Sequence, residues 1–97
     1  MEAEMAVQQL EATGRKRTAA VRSIGYAALI QAIGWEGIEQ HMPSSAVDGL
    51  RAAFDEAEID PATIAFPEGP TVYLEEVARS SAHPGSAQAA RELLGGS

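Results

Sequence analysis

The 97-residue chain contains no cysteine, which removes disulfide staples and thiolate chemistry and fits a reducing compartment. Histidine is limited to His41 and His83, far apart in sequence and without ligand-spaced acids, so no metal site and no cofactor is expected. The acids Asp55, Glu56, Glu58 and Asp60 lack the alternating spacing and the glycine of a calcium loop. The glycine pairs do not form a phosphate loop, and Ser44 and Ser45 have no base beside them in sequence. The chain is therefore expected not to be an enzyme. Long apolar runs are also missing. The longest, residues 24–38, is cut by Gln31 and Glu36 and is too short to span a bilayer. The first residues are acidic where a secretory signal would be basic, and a cytoplasmic protein is expected.

What is present is mostly alanine. Hydrophobic residues make up 45% of the chain, but 19 of them are alanine and only 25 are larger. Those 25 support one small core near the lower size limit for independent folding.

Charge is scarce in one sign: seven Lys and Arg stand against 14 Asp and Glu, for a net charge of −7. The cations are also concentrated. Arg15, Lys16, Arg17 and Arg22 fall in an acid-free stretch, residues 12–35, whereas residues 36–76 hold ten acids and only Arg51. An acidic body of this kind repels phosphate at long range and favours basic protein surfaces.

The periodicity predicts helices. Residues 2–12 carry Ala3, Ala6, Val7 and Leu10 at helical spacing, and Thr13-Gly14 supplies a stop. Residues 14–17 read as a basic connector between this helix and a single small helical domain over 18–94, with 95–97 as a flexible tail. Thr18 is the expected cap of a helix to residue 33, in which Gly25 implies a closely approaching backbone. Gly34 ends that helix, and a short one over 35–41 follows until Pro43. Ser44 or Ser45 is the expected cap of the next helix, whose Val47, Leu50, Phe54 and Ala57 form one buried stripe. Residues 62–75 are ambiguous. Their β-prone residues flank Pro67-Glu-Gly-Pro70 and allow a short β-hairpin, but Thr71 can cap a helix to Ser80 with Leu74, Val77 and Ala78 inward and Glu75 and Glu76 outward, which is preferred. A final helix covers 86–94. The fold class is mainly α: a small helical bundle with a helix-turn-helix-like core.

That core lies in residues 18–60, where two short helices meet at a tight turn. Within it, residues 41–60 carry Met42, Pro43, Ser45, Arg51, Ala53, Ile59 and Asp60 in an order that resembles the C-terminal helical segment of filamentous-phage and plasmid replication initiators. The resemblance covers about twenty residues and implies a shared fold or ancestry. Where that pattern has aromatic and basic residues, this chain has Val47, Asp48, Gly49 and Leu50, and Glu58 stands in the place of a glycine.

Three functions follow as expectations. The first is a small acidic regulator or inhibitor that binds a protein with a basic, nucleic-acid-binding surface through Asp48, Asp55, Glu56, Glu58 and Asp60. The second is a DNA-binding regulator that sets Ser44, Ser45 and Arg51 in a groove and uses Arg15, Lys16, Arg17 and Arg22 on the backbone. The third is a scaffold subunit self-associating through residues 1–33. Trp35 is expected to anchor the core between the short helices.

Overall fold

The computed structural model describes residues 1–95. Five α-helices make up the fold: α1 (Ala3–Ala12), α2 (Arg17–Glu39), α3 (Ser44–Glu56), α4 (Thr71–Ser80) and α5 (Pro84–Gly95), with one turn of 3₁₀ helix at Pro61–Thr63. The helical alternative for α4 is the one realised. Among the described residues there is no hairpin, only an isolated parallel bridge between Glu2 and Ala65. The final helix begins two residues earlier than expected because Pro84, with its fixed φ and missing N–H, suits the first helical turn. Residues 96 and 97 of the expected tail lie outside the described residues, while Gly95 belongs to α5.

α2 is the centre. Ile24, Gly25, Tyr26, Ala27, Ala28, Leu29 and Ile30 are all buried in succession, so this part of the helix is enclosed on every side rather than on one face. α4 crosses it at Gly25. A Cβ at that position would collide with the Tyr73 carbonyl oxygen and lie 2.5 Å from Val77 Cγ2, so the close approach anticipated from Gly25 is real. α5 packs on α4, and α1 lays Ala3, Ala6, Val7 and Leu10 against the same core at 3% exposure or less. Docking of α1 draws the chain to a radius of gyration of 11.9 Å, close to the roughly 12.5 Å of an ordinary domain of this length.

α2 breaks at Gly34, whose φ of 74° and ψ of 171° are open essentially to glycine alone. The arm beyond it, residues 35–39, leads through a four-residue turn into α3. Val47, Leu50, Ala53 and Phe54 of α3 and its C-cap Ala57 are buried, as the stripe requires. Ile33 is 37% exposed because it sits at the break and folds over Gly37.

The caps differ from expectation. Pro43, not a serine, holds the N-cap position of α3, and its carbonyl accepts from the Ala46 and Val47 amides at 3.0 and 3.1 Å. Ser44 and Ser45 are thereby pushed into the first turn, with no capping bond from either hydroxyl onto the helix end. Lys16 rather than Thr18 precedes α2, again without a side-chain cap. At the other end of α3, Glu58 takes φ 58°, the Ile59 amide reaches back to the Phe54 carbonyl at 2.9 Å and the Glu58 amide to Asp55 at 3.1 Å. This is a complete Schellman closure with glutamate where glycine is favoured.

Two outcomes are expected in denaturation experiments. Gly25→Ala gains up to about 1 kcal/mol of helix propensity but overpacks the α2–α4 crossing by about 1–3 kcal/mol, so its urea midpoint should fall; an unchanged midpoint would mean α4 yields without cost. Glu58→Gly should stabilise by about 1 kcal/mol, raising the melting temperature by roughly 4–8 °C.

Candidate functional site

The five acids expected to bind a partner fall on the exposed side of α3 and its exit. Asp48 and Asp55 are seven residues apart and share the outer face of the helix. Glu58 lies just past its end. Glu56 is engaged by Arg15 at 3.4 Å, and the Asp60 side chain accepts from the Ala62 amide at 3.0 Å, capping the 3₁₀ turn. Asp48, Asp55 and Glu58 have no cation within salt-bridge distance among the described residues.

A cleft of about 300 Å³ opens beside them, lined by Trp35, Arg51, Phe54, Asp55, Asp60 and Pro61. Trp35 is half-buried rather than a fully enclosed anchor. The Arg51 guanidinium stacks 4.1 Å from its ring centroid and also reaches Glu39 at 3.3 Å. The wall of this cleft is thus an aromatic ring already holding a cation, bordered by two carboxylates.

Of the residues of the nucleic-acid reading, Arg15 and Arg22 line one cleft of about 400 Å³ with Ala46 and Gly49 of α3, while Arg17 and Arg51 are held elsewhere. Arg17 is held by Glu4 at 3.0 Å and Glu11 at 3.1 Å, and these hydrogen bonds and charges, Glu4 foremost, raise its pKa above the ordinary arginine value. Arg15 faces Glu56, Arg22 donates to Ser80 Oγ at 3.3 Å, and Arg51 covers Trp35. Lys16 is exposed. Ser44 and Ser45 are exposed at the start of α3. The structure does not bring these seven residues to one surface with unpaired charge. For self-association through residues 1–33, the apolar face of α1 is already buried in its own chain.

Three polar features were not anticipated. The Tyr26 hydroxyl lies 2.6 Å from Ser81 Oγ and 3.0 Å from Ser86 Oγ, which also donates to the His83 carbonyl at 3.0 Å. Ser86 is fully buried, so this network closes the α4–α5 turn onto α2 with its polar groups satisfied. Gln31 Nε2 donates to the carbonyls of Pro61 and Ile64 at 2.9 and 2.8 Å, fixing the segment after α3. Glu76, expected to face outward, is buried at 8% exposure. Its carboxylate is paired with Arg79 and accepts from Ser80 Oγ at 3.2 Å. The hydrogen bond from Arg79 holds its pKa below the ordinary carboxylate value, against the opposing effect of burial. Separated sequence positions build the hydroxyl network and the Gln31 clamp, whereas the Glu76–Arg79–Ser80 spacing was a signal that could have been read.

Among the described residues no group of three or more His, Cys, Asp or Glu is placed to hold a metal ion, and no helix is long and apolar enough to cross a membrane. No family model matches the chain, and neither a curated protein nor a solved structure matches it.

Because the folded Glu76 releases its proton at lower pH than the unfolded chain does, its contribution is complete above the unfolded carboxylate value. That contribution is lost as pH falls through the lower folded value. The stability difference between the native protein and Glu76→Gln should shrink as pH is lowered from neutral into that range, read by thermal melts at each pH. A difference that stays constant would count against the Arg79 pairing.

Proposed function

We propose that this chain is a non-enzymatic acidic binding module whose outer α3 face and exit engage a protein with a basic surface. The observation that carries this reading is the set of exposed, unpaired carboxylates Asp48, Asp55 and Glu58 on α3 and its exit, with Asp55 also lining the Trp35 cleft. Charges on a rim mainly steer encounter and select the partner, while a half-buried aromatic supplies contact energy. The distribution of cations supports the same direction. Arg15, Arg17, Arg51 and Arg79 are spent on internal ion pairs, so the surplus of acid is what the molecule offers outward. One concrete form is an inhibitor that occupies the nucleic-acid-binding surface of a phage, plasmid or host protein in the cytoplasm. The initiator-like order of residues 41–60 supports this setting only as a resemblance.

A second reading, a DNA-binding regulator, draws on the exposed Ser44 and Ser45, whose hydroxyls are not consumed in capping. Against it, few positive charges remain for phosphate, and phosphate neutralisation supplies most non-specific affinity.

A pull-down with and without nuclease separates the two. Protein capture should survive nuclease and be lost in the Asp48→Lys, Asp55→Lys double variant, both positions being exposed and free of structural bonds. Capture that persists in this variant would sink the α3 reading, and DNA recovery that nuclease removes would favour the regulator.

A further inference from the structure

A second groove, sharing no residue with α3, lies where residues 2–4 meet the continuous stretch 66–73. The Ala3 amide donates to the Ala65 carbonyl at 2.9 Å and the Ala65 amide to the Met1 carbonyl at 2.8 Å, laying the start of α1 along residues 64–66. The chain then turns through Gly69, at φ 84°, with its amide on the Phe66 carbonyl at 2.9 Å, and enters α4. Between the first turn of α1, this loop and the first turn of α4 is a groove of about 450 Å³. Phe66 and Tyr73 meet in its wall edge-to-face, with centroids 5.6 Å apart. Glu2, Glu4 and Glu68 surround them, and Val72 stands 66% exposed at the rim.

The charged residues lining the groove are all acids, with Arg17 beside them on Glu4. Glu4 is answered by Arg17, while Glu2 and Glu68 have no cation within salt-bridge distance among the described residues. Partial burial, followed by the nearby Glu4 carboxylate, raises the Tyr73 pKa against the opposing charge of Arg17. An anion would be repelled from such a groove, and a wholly apolar ligand would strip water from two carboxylates without replacing it. Aromatic faces with carboxylates beside them suit a cation on an apolar stem. The carboxylates come from separate segments rather than one fixed fork, which fits a compact ammonium with rotatable donors better than a planar guanidinium.

We infer that this groove receives a lysine side chain from an extended basic segment of a partner protein, with its methylene stem on Phe66 and Tyr73 and its ammonium toward Glu2 and Glu68. The site is independent of the α3 face, and either can fail without the other.

The test is an NMR titration of the whole chain at low salt with a capped Ala-Lys-Ala-Lys-Ala peptide. Parallel arms use the same peptide with norleucine or arginine in place of lysine. Saturable amide shifts are expected over residues 2–4 and 66–73. The norleucine peptide should bind about tenfold more weakly or worse, as loss of the cation requires. The exposed pair Glu2→Gln, Glu68→Gln, checked for an unchanged melting temperature, should weaken the lysine peptide to a similar degree. The Asp48→Lys, Asp55→Lys variant should bind it as the native chain does. Equal binding of the norleucine peptide, shifts confined to α3, or no saturable shift would overturn the inference. Tighter binding of the arginine peptide would overturn the assignment to lysine.

Discussion

The bare backbone of Gly25 sets how closely α4 can lie on α2, and most of the molecule is arranged around that crossing. With no side chain between them, the helices bring Val77 and Leu74 toward Ile24–Ile30, where every residue is buried in succession. An alanine-rich chain has few large side chains to fill space, so near-contact of backbones replaces bulk as the means of excluding water. α5 packs on α4, and the Tyr26–Ser81–Ser86 hydroxyls tie the intervening turn back to α2. A polar network buried here is stabilising only because each of its members is satisfied, and it fixes one arrangement of the three helices.

The charge distribution has a similar logic. In sequence the basic stretch 12–35 looks like a surface awaiting phosphate. In the fold its arginines are drawn onto carboxylates contributed by α1 and α3 and onto Ser80. These exposed pairs add little stability individually, because water and salt screen them. Their larger effect is to cancel positive potential locally and leave two acidic regions, the outer face of α3 and the rim of the Phe66–Tyr73 groove.

Much of the fold was legible where one local period decided it. The α1 face of Ala3, Ala6, Val7 and Leu10 and the α3 stripe of Val47, Leu50 and Phe54 are buried as their spacing requires. Gly25 announced a close neighbour, although not that the neighbour was α4. The errors arose where two local rules competed. Ser44 and Ser45 are strong caps by type, but Pro43 takes the N-cap position with the extended backbone that position needs. A choice left open rather than missed concerned the β-prone residues at 63–66 and 71–74: the preferred helix is realised over 71–80, and Ala65 pairs with Glu2. The acidic candidates on α3 could be read because they share one helix. The Phe66–Tyr73 groove could not, because Glu2 and Glu4 reach it from the far end of the chain and no spacing joins them to residues 66–73.

The break at Gly34 has a consequence for observing this molecule. It carries the sole tryptophan out of the enclosed part of α2 onto a short arm, where Trp35 is half-covered and lies under a guanidinium borne by α3. Indole emission therefore reports the seating of α3 on that arm, while the tyrosine at the centre, Tyr26, belongs to the α2–α4–α5 body. α3 approaches the other helices chiefly through α2, so it is the element best able to open as a separate cooperative unit. The chain thus carries two optical labels of its own, Trp35 on the α2 arm against which α3 seats and Tyr26 in the body formed by α2, α4 and α5.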